Sequence, residues 1–284
     1  MVDSKIAVSV IVLTYNHKPY IRQALDSILE QKTDFSYEIL VGDDASTDGT
    51  SEIVREYAQR FPKIIRAFVR EKNLGATRNL YDLFERARGT YIANCEGDDY
   101  WCDLNKLQHQ VDFLNSHLDY SACTHACRIV DENNIAAKNQ TLPWICTKTH
   151  YTLKDFRGVY LPGQSATLVH RNFFLNKQHD YAIIYRANPM IADRTVVLIL
   201  AAMGAIRCFP EVMSCYRVRT LGVAQNATST QFRNNPDVNR MQVEYTRKLE
   251  QYMKKEFGIK IDTFLFKSEQ LIKNRIKRIW NRLR

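Results

Sequence analysis

The stretch AVSVIVLTYN, residues 7–16, decides the fold class of this 284-residue chain. Its apolar, largely β-branched residues run without alternation and end in polar side chains, which is typical of a strand buried on both faces of a parallel sheet. A helix follows at once, because Pro19 suits a first helical turn and apolar residues such as Ile21 and Leu25 recur at helical spacing. The chain therefore begins with a buried strand followed by a helix.

The same alternation of strand and helix continues through the first third of the chain. YEILVGDDASTDGT, residues 37–50, predicts a second short strand and a polar turn, and residues 51–61 predict a helix. IIRAFVR at 64–70 and TYIANCEGDD at 90–99 predict two further strands, with a helix over 80–87 between them. Alternation of this kind predicts an α/β fold with a mostly parallel, doubly wound, Rossmann-like sheet flanked by helices.

Polar side chains follow three of these predicted strands. Because ligands of such sheets bind at the carboxyl ends of the strands, we expect these side chains to form one site. The three carboxylates of NCEGDDYW, residues 94–101, repel one another, so a divalent cation is a natural partner for them. The residues expected at this site are Thr14, Tyr15, Asn16, Asp43, Asp44, Asp98 and Asp99.

Composition and motifs narrow the possible functions. The apolar content of 45% supports a sizeable core. An odd number of cysteines, seven, and a start without the features of a secretory leader predict a cytoplasmic protein. No apolar run approaches the roughly 20 residues that a membrane-spanning helix needs. The sequence contains no GxGxxG and no GxxxxGK[ST] segment, which disfavours nicotinamide enzymes and P-loop ATPases.

Much of the net charge of +9 lies in the tail KSEQLIKNRIKRIWNRLR, residues 267–284, which carries seven basic side chains and one Glu. Its apolar residues recur at three- and four-residue steps, which predicts an amphipathic helix. Such a helix suits an anionic membrane surface, so a peripheral position at the inner face of the cell membrane is expected. The alternative is a terminal helix packed on the body. No nucleic-acid motif accompanies the charge, so no nucleic-acid partner is expected.

Four segments share their order and approximate spacing with a known family: VSVIVLTYN, VGDDASTDGT, NLGATRN and GTYIANCEGDDYW. Over roughly residues 6–220 the chain resembles the inverting family-2 glycosyltransferases with the GT-A fold. The resemblance implies sugar transfer from a nucleotide-diphosphate donor, expected to be a UDP-sugar, to an acceptor hydroxyl with inversion. It also implies a role in building bacterial surface polysaccharide or lipooligosaccharide, with a glycan or lipid-linked acceptor.

The resemblance assigns roles to individual carboxylates. Asp44 would accept a hydrogen bond from the donor base, and Asp98 would contact the ribose or support the metal shell. Asp99 would hold the divalent cation, Mg²⁺ or Mn²⁺. Asp193 would be the general base, with its basicity raised by partial burial beside other acids. Alternatives remain open, since Asp44 can be a turn residue and Asp193 can cap the apolar helix that it begins.

Five further residues have less specific assignments. Arg78 faces the base or the diphosphate, or is simply solvated. Tyr100 and Trp101 would stack on an acceptor-side sugar, although core packing explains Trp101 equally well. Gln164 lies where relatives place an acceptor-side loop. Arg219 stands in place of the His in the family's Tyr-Arg-X-His segment and could contact the diphosphate.

These assignments divide the chain into three parts. Residues 1–105 are the nucleotide-sugar-binding half, residues 106–225 are the acceptor-binding and catalytic half of the same GT-A domain, and residues 226–284 are a C-terminal helical extension. Two rival functions remain: a nucleotidyltransferase, and a non-catalytic membrane-associated partner that binds nucleotides or sugars. A nucleotidyltransferase would be expected to carry a Gly-rich, basic phosphate loop after its first strand, and TYNHKPY is not one.

Overall fold

The computed structural model describes residues 6–137, 142, 145–156, 160–218 and 236–261. Arg219 and the basic tail, residues 267–284, lie outside them. The strands are β1 (Val8–Thr14), β2 (Tyr37–Asp43), β3 (Ile65–Val69), β4 (Tyr91–Glu96), β5 (Tyr100–Trp101), β6 (Tyr120–Val130), β7 (His150–Tyr151), β8 (Val169–Arg171) and β9 (Ala205–Arg217). The helices are α1 (Ile21–Leu29), α2 (Thr50–Arg60), α3 (Ala76–Arg86), α4 (Lys106–Ser116), α5 (Ile183–Arg186), α6 (Asp193–Met203) and α7 (Val238–Phe257).

Four parallel strands form the half of the sheet that the sequence predicts. They lie in the order β3-β2-β1-β4, with β1 hydrogen-bonded to both β2 and β4. The register sets Thr14 opposite Asp43, and Leu13 opposite Glu96. The carboxyl ends of β1, β2 and β4 therefore meet at one edge of the sheet.

Beyond β4 the sheet becomes mixed. It continues through β8, β6, β9 and β5, and β7 also pairs with β9. β6 and β9 run parallel, whereas β5, β7 and β8 are antiparallel to their neighbours. These three strands are only two or three residues long. So few residues carry no readable period, and the sequence therefore does not predict these three strands.

Successive residues of β1 point to opposite faces of the sheet, and helices cover both faces. Val10 and Val12 join a core cluster that includes residues of α1, α2 and α4. Ile11 joins a second cluster, formed with residues of α3, α6 and α7. The predicted C-terminal extension thus contributes to this core, since Tyr245 and Leu249 of α7 are buried in it. Among the described helices, none has the length and apolarity needed to cross a membrane.

A buried carboxylate ties the parallel strands together at the amino end of β2. Glu38 is 1% exposed and accepts hydrogen bonds from the Ser9 hydroxyl at 2.8 Å and from Nη2 of Arg88 at 2.7 Å. Arg66 donates to the same carboxylate at 3.0 Å. Burial raises the pKa of Glu38, but the hydrogen bonds from Arg88, Ser9 and Arg66 outweigh burial and hold the pKa below its ordinary value.

We expect Glu38→Gln to lower the free energy of unfolding by about 2 kcal/mol near neutral pH, because two arginines lose their carboxylate partner. A carboxyl group with a lowered folded pKa stabilises the fold above its ordinary value of 4.5, and this stabilisation is lost as the pH falls through the folded pKa. The variant should therefore lose less stability than the wild type on acidification. Urea denaturation at neutral pH and below pH 4.5 measures both effects.

Glu56→Gln is the matched control, because Glu56 of α2 pairs with Arg22 of α1 on the surface, where both side chains are more than 40% exposed. Exposed pairs contribute little to stability, so this variant should unfold like the wild type at both pH values. Equal behaviour of the two variants would contradict the role given to Glu38.

Candidate active site

The loops that follow β1, β2 and β4 contact one another directly. The backbone N–H of Asp44 donates to the Thr14 carbonyl at 3.0 Å, and that of Gly97 donates to the Leu13 carbonyl at 2.7 Å. A Cβ atom added at Gly97 would lie 2.8 Å from the Thr14 side chain and 3.0 Å from Nδ1 of His17. Only glycine allows the acidic loop, which we define as residues 97–101, to approach β1 this closely.

Asp43 and Asn16 fasten the first two loops together. The Asp43 carboxylate accepts hydrogen bonds from the hydroxyls of Ser46 and Ser51, so it shapes the turn after β2. Asn16 adopts a φ of +55°, and its side-chain oxygen accepts from the backbone N–H of Thr47 at 2.9 Å. These residues therefore build the wall of the site, and their polar groups are used mainly within it.

Asp44 holds a loop that is distant in sequence. Its carboxylate is buried and accepts the backbone N–H groups of Leu74 at 2.7 Å and Gly75 at 2.9 Å. A carboxylate oxygen has a second lone pair, so these bonds leave acceptor capacity for a ligand. The first turn of α3, which follows this loop, contacts the segment before α6, because the Thr77 hydroxyl donates to the Pro189 carbonyl at 3.0 Å. A chain of contacts thus links Asp44 to the segment that leads into Asp193.

Asp99 points inward from the acidic loop. It is 2% exposed, and its two oxygens accept the backbone N–H of Arg217 at 2.8 Å and the side-chain amide of Gln164 at 3.0 Å. Asp98 lies 3.6 Å from Nε2 of His17, measured from Oδ2. The structure therefore brings both predicted aspartates to this edge of the sheet, where Gln164 is a hydrogen-bond partner of Asp99.

Charge is crowded in and beside this loop. Burial and the charge of Asp98 raise the pKa of Glu96 to about 7. Burial and the neighbouring carboxylates Asp98 and Glu96 also raise the pKa of Asp99 well above its ordinary range. Within the described part of the chain, no three His, Cys, Asp or Glu side chains converge as a ready metal centre. The neighbouring carboxylates of Asp98 and Asp99 still fit a divalent cation whose remaining ligands come from water and phosphate oxygens.

The aromatic residues after the acids separate into two environments. Trp101 is 4% exposed, its Nε1 donates to the Ala166 carbonyl at 3.1 Å, and Lys106 Nζ lies 4.2 Å from its ring centroid. It is a core residue, so the expectation that it stacks on a sugar is wrong for this structure. Tyr100 is partly exposed, and the guanidinium of Arg217 lies 5.6 Å from its ring centroid.

Three other candidates, Arg78, Tyr15 and Asp193, are all exposed. Arg78 is exposed and lies over the ring of Tyr185 at 4.4 Å, which favours the solvated alternative. Tyr15 is 41% exposed and accessible to a ligand. Asp193 is exposed, so the partial burial expected of it is not found. It is the first residue of α6, one position after the helix cap, and it accepts the backbone N–H of Arg194 at 2.7 Å.

His17 and Arg217 are site residues that the sequence predictions omit. His17 follows the polar residues 14–16 at the end of β1. Because the carboxyl ends of β1 and β4 lie at the same edge of the sheet, its nearness to Asp98 could have been predicted from the sequence. Arg217 lies in the segment CYRVRTLGV, where attention falls on Arg219 because of the family pattern. Only the structure reveals that Arg217 contacts the acidic loop, since its partners are more than 80 residues away in sequence.

The glycosyl transferase family 2 model matches residues 9–179 of this chain. The chain belongs to this family. An uncharacterized protein of Mycobacterium tuberculosis is 34% identical over 228 residues, which are 77% of this chain and 61% of that protein. TuaG of Bacillus subtilis, named for teichuronic acid biosynthesis, is 36% identical over 114 residues, which are 40% of this chain and 44% of TuaG. The family 2 chain thus spans less than two thirds of these relatives.

Solved structures share the fold of this family 2 glycosyltransferase. TarS of S. aureus in complex with UDP superposes with a TM-score of 0.59 at 22% identity, covering 89% of this chain and 72% of the TarS chain. The mannosyltransferase PcManGT of Pyrobaculum calidifontis, in complex with GDP-Man and Mn²⁺, superposes with a TM-score of 0.54 at 21% identity. It covers 87% of this chain and 64% of that chain. The GT-A fold that the sequence motifs indicate is confirmed.

We expect Asp44→Asn to release the loop before α3, because an amide has one acceptor oxygen where the carboxylate offers two to Leu74 and Gly75. Hydrogen exchange should become faster in residues 72–76, and the free energy of unfolding should fall by about 1.5 kcal/mol. Asp34→Asn is the control, since Asp34 is exposed in the loop before β2, at the opposite edge of the sheet. Unchanged exchange in Asp44→Asn would show that Asp44 does not hold this loop.

Proposed function

We propose that this glycosyltransferase moves a sugar from a UDP-sugar to a hydroxyl of a glycan or lipid-linked acceptor, with inversion, in cell-surface polysaccharide biosynthesis. The observation that carries the proposal is the meeting of the loops after β1, β2 and β4 around a crowded acidic loop. TarS, which shares the fold, has been solved with UDP, and TuaG is named for teichuronic acid biosynthesis. TarS therefore supports the choice of a UDP-sugar as donor, and TuaG supports the choice of polysaccharide biosynthesis as the pathway class.

The nucleotide would lie against the loops after β1 and β2. Asp44 would accept a hydrogen bond from the ring N–H of the base, using the lone pairs that the Leu74 and Gly75 amides leave. Thr14 and Tyr15 would line the same edge: the buried Thr14 hydroxyl has no hydrogen-bond partner among the described residues, and Tyr15 beside it is 41% exposed. Asp98 would face the ribose.

Asp99 would hold a divalent cation, Mg²⁺ or Mn²⁺, with Asp98 beside it in the acidic loop and the diphosphate completing the ligands of the cation. The crowding that raises the pKa of Glu96 and of Asp99 supports this assignment, because a bound cation relieves repulsion between carboxylates. When bound, the cation supplies a Lewis acid that neutralises negative charge on the departing diphosphate. Gln164 and the Arg217 backbone N–H would keep Asp99 in one orientation during this process.

Asp193 would accept the proton of the attacking acceptor hydroxyl. Its carboxylate is exposed at the start of α6, where an acceptor can reach it, and the Arg194 N–H limits its rotation. Removing the hydroxyl proton as the oxygen attacks the anomeric carbon lets inversion proceed in one displacement. The two rival functions would not need this base, so Asp193 separates them from the proposal.

The first experiment is calorimetric titration of UDP, GDP and other nucleoside diphosphates, with and without Mn²⁺. We expect Mn²⁺-dependent binding of UDP, weakened at least about tenfold in Asp99→Asn. Asp193→Asn should bind UDP like the wild type and lose about 100-fold or more in the release of UDP from UDP-sugars with glycan acceptors.

Asp34→Asn serves as the control in both assays, because Asp34 lies at the opposite edge of the sheet. Binding of no nucleotide by the wild type would overturn the proposed function, and binding of GDP alone would overturn the donor assignment. Nucleotide binding without release of UDP from any UDP-sugar, in the wild type and in Asp193→Asn alike, would leave a non-catalytic binding partner as the better interpretation. Turnover that is unchanged in Asp193→Asn would overturn the role of Asp193 as the general base.

We also propose that residues 267–284 hold the enzyme at the inner, cytoplasmic face of the membrane through seven basic side chains and an apolar stripe. Deleting these residues should abolish sedimentation with vesicles that contain anionic lipid, while UDP binding stays unchanged. Neutral vesicles provide the comparison, since charge attraction contributes about 1 kcal/mol per basic side chain near an anionic surface. Equal sedimentation of the full and shortened chains would refute this role.

A further inference from the structure

We propose that Arg217 is a positioning residue, which holds the acidic loop in the geometry that binds the donor diphosphate. This proposal rests on the proposed function. Arg217 is the last residue of β9 and is 1% exposed, so its side chain does not itself reach a ligand. Its effect on the donor would pass through Asp98 and Asp99.

Arg217 contacts the acidic loop twice. Its backbone N–H donates to Oδ1 of Asp99 at 2.8 Å, and its side-chain Nε donates to the backbone carbonyl of Asp98 at 2.8 Å. The second bond fixes the peptide that joins the two aspartates. Because the orientation of that peptide sets where both carboxylates point, the guanidinium controls the direction of the proposed metal and ribose ligands.

The other end of the guanidinium is anchored to two separate elements. Nη1 donates to the carbonyl of Asp131 at 3.0 Å, in the turn after β6. Nη2 donates to the side-chain oxygens of Gln23, in α1, at 2.8 Å and of Asn134 at 2.9 Å. One planar group therefore joins the acidic loop, the first helix and a turn that follows a distant strand.

Aromatic rings enclose the guanidinium. It lies 4.5 Å from the ring centroid of Tyr20 and 5.6 Å from that of Tyr100. Tyr100 belongs to the acidic loop, so this contact restrains the loop at a second point. A lysine ammonium carries its three N–H donors on one nitrogen, so it cannot reproduce the planar fork of hydrogen bonds made by the three nitrogens of arginine. Arg217→Lys should thus keep the charge and lose the geometry.

Arg171 offers a matched control away from the site. Its Nε donates to the Tyr120 carbonyl at 2.9 Å, and its Nη2 donates to the Leu114 carbonyl at 2.6 Å. It also lies beside an aromatic ring, with its guanidinium 5.8 Å from the centroid of Tyr91. Arg171→Lys therefore removes a similar fork of hydrogen bonds without touching the acidic loop.

The experiment compares Arg217→Lys and Arg171→Lys with the wild type. Hydrogen exchange in residues 97–101 should become faster in Arg217→Lys and stay unchanged in Arg171→Lys. The affinity for UDP in the presence of Mn²⁺ should fall at least about tenfold in Arg217→Lys, and less than about twofold in Arg171→Lys. Melting temperatures of both variants show whether a general loss of stability accounts for the difference.

Two outcomes would overturn the positioning role of Arg217, and a third would contradict the proposed function instead. Equal loss of UDP affinity in the two variants would overturn the positioning role, because destabilisation alone would then explain the effect. Unchanged exchange in residues 97–101 of Arg217→Lys would overturn it as well, whether or not UDP binds. Failure of the wild type to bind any nucleotide would instead contradict the proposed function, and hydrogen exchange would still decide whether Arg217 holds the loop.

Discussion

The parallel pairing of β1 with β2 and β4 is the constraint on which the rest of the site depends. Its register sets Thr14 opposite Asp43 and Leu13 opposite Glu96, so three loops that are distant in sequence begin side by side. A shift of one residue would exchange the faces of β1 and bury its side chains against the wrong helices. The same pairing that forms the core therefore brings the polar groups together.

Bringing carboxylates together is unfavourable, and the surrounding structure offsets part of this repulsion. Backbone and amide N–H groups donate to Asp99, and the imidazole of His17 lies near Asp98. The remaining crowding is visible in the raised pKa of Glu96. A buried acidic cluster that is only partly satisfied is costly for stability, which is typical of sites that await a cationic ligand.

The walls of the site also hold backbone conformations that cost free energy. Asn16 and Ala45 both have positive φ angles, +55° and +64°, in the loops after β1 and β2. The hydrogen bond between Asn16 and Thr47 joins these loops, so the surrounding contacts keep the strained backbone in place. Rigid loops of this kind suit the proposed function, in which the site would fix a nucleotide before the proposed base, Asp193, acts.

The sequence by itself determined the parallel half of the fold and the position of the carboxylates, because buried strands and their polar ends follow a local, readable pattern. It predicted β1 to β4 and the placement of Asp43, Asp44, Asp98 and Asp99 at one edge. Only the tertiary structure decided the mixed half of the sheet, the burial of Trp101 and the contacts of Arg217. These depend on very short strands and on pairings between residues far apart in the chain, for which no local period exists.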